Sequence, residues 1–250
     1  MAGKGGVGKT TVAAMILKYL RQRSQGGVLA IDADPSSNLN DVMGLDLEST
    51  VGDVREETAD RRAGGPIPAG MPKRDYLEYR INESLVESEG VDLIAMGRPE
   101  GPGCYCAANH VLRETVDRLA GSYQYVVIDN EAGLEHLSRR TTRDVDILLV
   151  VSDPSIRGII AAGRVASLVG ELQTKVGKVY LIVNRVDGDL SPTLVEEIRR
   201  QGLDLMGVVP ADSQVGAFDR DGKPLVDLPE DSTVYVAVRA LVDGMLDGKA

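Results

Sequence analysis

The chain alternates short apolar runs with stretches whose apolar residues recur at helical spacing. The runs Val28–Asp32, Val91–Met96, Tyr125–Asp129, Ile147–Val151, Val179–Asn184 and Leu205–Val209 are rich in Val, Ile and Leu. They show little polar alternation, as expected of strands covered on both faces. Helices are predicted at Thr10–Arg23, Asn109–Ala120, Ile156–Leu172, Pro192–Gln201 and Val234–Leu246. Within Ile156–Leu172 the residues Ile156, Ile159, Ile160, Leu168, Val169 and Leu172 keep one apolar stripe. This strand–helix order predicts an α/β fold, a mostly parallel sheet with helices on both faces. No internal repeat interrupts it, so residues 1–250 read as a single domain. Thr58–Arg74 is rich in Gly and Pro and reads as a flexible excursion, and the polar Asp243–Ala250 as a frayed tail.

Charge narrows the class. The 250 residues carry 28 Lys+Arg against 38 Asp+Glu, a net charge of −10. DNA and anionic membranes select basic surface, so neither is an expected partner. No apolar run approaches the roughly 18–20 residues of a membrane-spanning helix. The opening MAGKGGVGKT lacks the apolar core of a signal peptide. The expectation is a soluble, cytoplasmic protein whose thiols stay reduced.

Gly3-Lys4-Gly5-Gly6-Val7-Gly8-Lys9-Thr10 fits G-x-x-x-x-G-K-[ST] and leads straight into a predicted helix. Gly5, Gly6 and Gly8 let the backbone wrap closely, so that N–H groups of the loop, Val7 included, face phosphate oxygens. The helix adds its N-terminal partial positive charge. Lys9 reaches the β- and γ-phosphates, the Thr10 hydroxyl ligates Mg²⁺, and Thr11 adds a phosphate contact. A phosphate loop should follow a strand, yet only Met1 and Ala2 precede Gly3. The first strand is therefore expected to be cut short in the sequence as given.

Acidic residues recur at predicted strand ends, the edge where ligands bind such a sheet. Asp32 and Asp34 follow Val28–Ile31, although Asp34 before Pro35 also suits a plain turn. Asp129 ends Tyr125–Ile128 in the Walker B pattern and would hold Mg²⁺ through water. Asn184 ends Val179–Val183 and offers the donor and acceptor that an adenine edge needs. Asn184-Arg185-Val186-Asp187 also partly matches the guanine-reading N-K-x-D, so GTP stays open beside ATP. Pro210 and Asp212 are placed on the far side of the base.

Cys104 and Cys106 are the only cysteines and follow a Gly-Pro-Gly turn. In extended backbone the i and i+2 side chains point the same way, so two thiolates can grip a soft metal ion. They are half of a four-coordinate site, and a two-fold dimer would supply the other half. The bland reading is two small buried side chains. His110 lies nearby in sequence and reads as a helix-surface histidine rather than a ligand.

With Lys4 inside the loop, the sequence resembles the deviant-Walker ATPases of the MinD/ParA and nitrogenase iron-protein group. That resemblance implies a P-loop ATPase that dimerises on ATP, with Lys4 reaching the partner's nucleotide. It implies that Asp34 orients the attacking water and accepts its proton, with Asp32 in support. It makes Asp129-Asn130-Glu131-Ala132-Gly133 a second switch and has Asn184 read adenine. The Cys104-Tyr105-Cys106 pair and Ala132-Gly133-Leu134-Glu135-His136-Leu137 are similar to the nickel-insertion (CooC-type) ATPases that mature carbon monoxide dehydrogenase and acetyl-CoA synthase. That narrower resemblance implies Ni²⁺, or Zn²⁺, held by Cys104 and Cys106 across a homodimer and delivered to a client metalloenzyme. An iron–sulfur carrier and a non-enzymatic metal-binding protein are the rivals. No Cys lies in Asp129–Leu137, which excludes a nitrogenase-type cluster.

Overall fold

The computed structural model describes residues 1–59, 67–68, 70–98, 114–131, 144–169 and 175–248. Its strands are β1 (Ala2–Gly3), β2 (Val28–Ala33), β3 (Val91–Ala95), β4 (Tyr125–Asn130), β5 (Asp144–Ser152), β6 (Lys175–Val186) and β7 (Leu205–Pro210). They pair in parallel in the orders β1-β5-β6-β7 and β3-β2-β4. Met1 stitches the two groups together. Its amine donates to the Ile128 carbonyl of β4 at 2.6 Å, and its carbonyl accepts from Asn130 Nδ2 at 2.8 Å.

The apolar runs do not alternate because both faces of the sheet are covered. Val28 and Ala30 of β2, Leu149 and Val151 of β5, and Tyr180 and Ile182 of β6 face one core. The helices Lys9–Arg23 and Thr233–Leu246 close that side with Val12, Met15, Ile16, Tyr235 and Val238. Their neighbours point the other way. Leu148, Val150, Leu181 and Val183 pack with Ile159, Ala162, Leu194 and Ile198. Leu29, Ile31 and Ile94 pack with Val54, Leu77, Ile81 and Val116. The result is one α/β domain of parallel sheet between two helical layers.

The first strand is the two-residue β1, short as expected, paired to Val150 and Val151 of β5. Gly3 there has φ +145°, and a Cβ would overlap the Val151 carbonyl oxygen, so glycine alone lets the loop leave the sheet at this point. Two expectations need correction. The first four residues of the predicted tail, 243–246, complete the helix Thr233–Leu246, and Asp243 accepts from the Tyr19 hydroxyl and pairs with Arg23 Nη1 at 2.6 Å. The excursion is bounded by structure, since Thr58 and Ala59 end the helix Val51–Ala59 and Lys73 begins the helix Lys73–Glu83. Residues 60–66 and 69 lie outside the described residues, as do 109–113 of the predicted helix Asn109–Ala120, of which 114–120 are helical.

Candidate functional site

The loop between β1 and the helix Lys9–Arg23 gathers most of the predicted residues. Gly8 is the N-cap of that helix, with φ +89° and no side-chain cap. The first helical N–H groups are therefore left for a ligand rather than for a serine or aspartate. Lys9 is buried, and its Nζ donates to the Lys4 carbonyl at 3.4 Å across the loop. Lys4, Gly5 and Gly6 are exposed, Val7 is buried, and Thr10 and Thr11 are half-buried in the first helical turn.

Asp129, the penultimate residue of β4, is buried beside this loop. Burial raises its pKa; a hydrogen bond from the Thr10 hydroxyl and the Lys9 ammonium oppose the rise, and Asp34 adds to it. Its Oδ1 is buried without a hydrogen-bond partner. A buried carboxylate oxygen left unsatisfied beside a threonine hydroxyl is the donor set that Mg²⁺ prefers. Thr10 and Asp129 thus fit the ion, which would draw negative charge off the phosphate oxygens.

Asp32, at the parallel position on β2, does different work. Its Oδ1 accepts from the Asp34 N–H at 3.0 Å and its Oδ2 from the Leu39 N–H at 2.9 Å. One carboxylate thus holds both ends of the loop that carries Asp34. Burial pushes its pKa up to about 6, against the pull of those two N–H groups, and the charges of Asp129 and Asp34 add to the rise. Asp34 is half-buried and takes the Ser36 N–H at 2.8 Å. The turn closes through Ser37, whose φ is +47° and whose N–H donates to the Asp34 carbonyl.

Asn184 and Pro210, expected beside a base, lie near the C-terminal ends of β6 and β7. Asn184 is 3% exposed, and its Nδ2 donates to the Val7 carbonyl at 2.8 Å. Its amide is turned into the phosphate loop. Arg185, which the sequence marked only as part of the N-K-x-D-like run and not as a site residue, donates from Nη1 to the Gly6 carbonyl at 3.0 Å. Pro210 ends β7 half-buried. Asp212 is an N-cap: its Oδ1 accepts from Gln214 N–H at 2.8 Å, and its Oδ2 from the Thr233 hydroxyl and the Val234 N–H. Burial would raise its pKa, but those donors outweigh it and hold it low.

Cys104, Cys106, His110 and the Ala132–Leu137 motif lie outside the described residues. Among the described residues no group of three or more His, Cys, Asp or Glu is arranged to hold a metal ion. Nor is any helix there long and apolar enough to cross a membrane.

Residues 1–225 match the CobQ/CobB/MinD/ParA nucleotide binding domain. An uncharacterised ATP-binding protein of Methanocaldococcus jannaschii is 43% identical over 249 residues, 100% of this chain and 98% of the relative. The carbon monoxide dehydrogenase accessory protein CooC of Rhodospirillum rubrum is 32% identical over 241 residues, 91% of this chain and 89% of the relative. Among solved structures, the MinC:MinD cell division complex of Aquifex aeolicus superposes with a TM-score of 0.71 at 25% identity, covering 100% of this chain and 95% of that one. A phosphate loop capped by Gly8, a buried Walker B carboxylate and a family match across most of the chain converge on one conclusion: the protein belongs to the CobQ/CobB/MinD/ParA family of P-loop nucleotide-binding proteins.

Proposed function

We propose that the protein is an ATP-hydrolysing metallochaperone. It binds nickel, or zinc in its place, through Cys104 and Cys106 at a homodimer interface, and couples ATP to insertion of the ion into carbon monoxide dehydrogenase or acetyl-CoA synthase. One observation carries the reading: a Cys-x-Cys pair occurs in a family member that is 32% identical over 241 residues to a carbon monoxide dehydrogenase accessory protein. Within the site, Lys9 and the loop N–H groups of residues 5–8 hold the phosphates, and Thr11 adds a contact. Thr10 and Asp129 hold Mg²⁺. Asp34 orients the attacking water and takes its proton, while Asp32 keeps Asp34 in position. Lys4 of each subunit reaches the phosphates of the other, and Pro210 flanks the base.

Metal analysis joined to an ATPase assay tests this reading. Loaded protein should carry about one Ni²⁺ per dimer, the stoichiometry of a site of four thiolates. Changing Cys104→Ala together with Cys106→Ala should abolish that metal and leave hydrolysis largely intact. Iron with sulfide after anaerobic reconstitution would replace the nickel reading with an iron–sulfur carrier. Absence of any thiolate-bound metal would defeat both.

A further inference from the structure

Asn184 and Arg185 are neighbours on β6, yet both side chains reach the same loop. On a regular strand consecutive side chains point to opposite faces. Here the pairing with β7 shifts between Asn184 and Val186, and Arg185 has φ +59°, a conformation arginine rarely adopts. The irregularity turns Arg185 to the side that Asn184 already faces. The two then take successive carbonyls, Arg185 that of Gly6 and Asn184 that of Val7.

A trans peptide fixes its C=O and N–H on opposite sides. Drawing the Gly6 carbonyl toward β6 therefore turns the Val7 N–H away from it. Drawing the Val7 carbonyl the same way turns out the Gly8 N–H, at the uncapped start of the helix Lys9–Arg23. Gly8 completes the fit, because a Cβ there would overlap Asn184 Nδ2. We infer that Asn184 and Arg185 are a clamp that presets the phosphate loop, positioning residues for the triphosphate rather than readers of the base. This inference rests on the loop being the nucleotide site.

The test compares ATP, GTP and inorganic triphosphate, each bound with Mg²⁺ to the full chain. Asn184→Ala and Arg185→Met, checked for folding by thermal unfolding, should each weaken ATP and inorganic triphosphate by the same factor. That factor is about three- to tenfold for one lost hydrogen bond. The ATP-to-GTP ratio should stay as in the unaltered protein, and the amides of Val7 and Gly8 should exchange hydrogen faster in both variants. A loss confined to ATP, with inorganic triphosphate untouched and the ATP-to-GTP ratio changed, would overturn the clamp and make Asn184 a base reader. Unchanged binding of both ligands would also overturn it. If Asn184→Ala fails to fold, the exposed Arg185→Met decides alone by the same criteria. Unaltered protein that binds neither ATP nor triphosphate would remove the nucleotide reading itself.

Discussion

Asp32 and Asp129 share a register position on adjacent strands and are both buried, but their surroundings separate them. Asp129 keeps an unsatisfied oxygen beside Thr10, whereas both oxygens of Asp32 are taken by backbone N–H groups. A pH experiment can isolate Asp32. Its folded pKa of about 6 lies above the ordinary 3.8, so the unfolded chain loses its proton first as pH rises. Stability from this group is full below pH 4, falls as pH rises from 4 to 6, and is flat above that, with a total change of about 3 kcal/mol. Asp32→Asn lacks that decline. Its stability relative to the unaltered protein should therefore rise between pH 4 and 6 in denaturant titrations, and a constant difference would refute the assignment. Sequence alone put both carboxylates at the sheet edge, because a polar residue ending an apolar run is visible in one dimension. Their division of labour was hidden, since it depends on Leu39 and Thr10 closing in from elsewhere in the chain.

At the scale of elements, the long buried strands and the helices Lys9–Arg23, Ile156–Val169, Pro192–Arg200 and Thr233–Leu246 were legible from periodicity, with ends shifted by a few residues. The elements that escaped are short or polar. The helix Lys73–Glu83 buries only Leu77 and Ile81, and the helix Ser213–Asp221 buries none of its residues, so neither shows an apolar stripe. Strand β1 is two residues long, and the phosphate loop that follows it, rather than an apolar pattern of its own, marked its place. Asp212 illustrates a cap invisible in sequence. It caps Ser213–Asp221 and also serves the helix Thr233–Leu246, whose own N-cap Ser232 makes no side-chain cap bond. Asp212→Ala should cost about 2 kcal/mol. In a chain of this size that is a fall of about 4–8 °C in Tm. Asp212→Asn, which keeps one acceptor, should restore part of it, and an unchanged Tm in the alanine variant would contradict the double cap.

For the whole molecule, the proposed chemistry needs two copies. Lys4 is exposed at the loop, with its side chain available to a second subunit. Lys4→Gln should leave ADP affinity within about threefold, since Lys9 and the loop N–H groups remain. It should abolish ATP-driven dimerisation in sedimentation experiments and lower hydrolysis on the order of a hundredfold or more, as loss of a charge supplied by a partner does. A Lys4→Gln protein that still dimerises on ATP would contradict the role in trans. The net charge of −10 fits this picture, as neither DNA nor an anionic membrane is part of the proposed cycle. What that cycle requires is that the nucleotide state sets the grip on the metal, a coupling free energy between two sites. Equilibrium dialysis of Ni²⁺ against the full chain, with ADP and with a non-hydrolysable ATP analogue, measures it directly. The account predicts at least about a tenfold difference in nickel affinity between the two states, lost in the Cys104→Ala, Cys106→Ala double variant; equal affinities with the two nucleotides would contradict it.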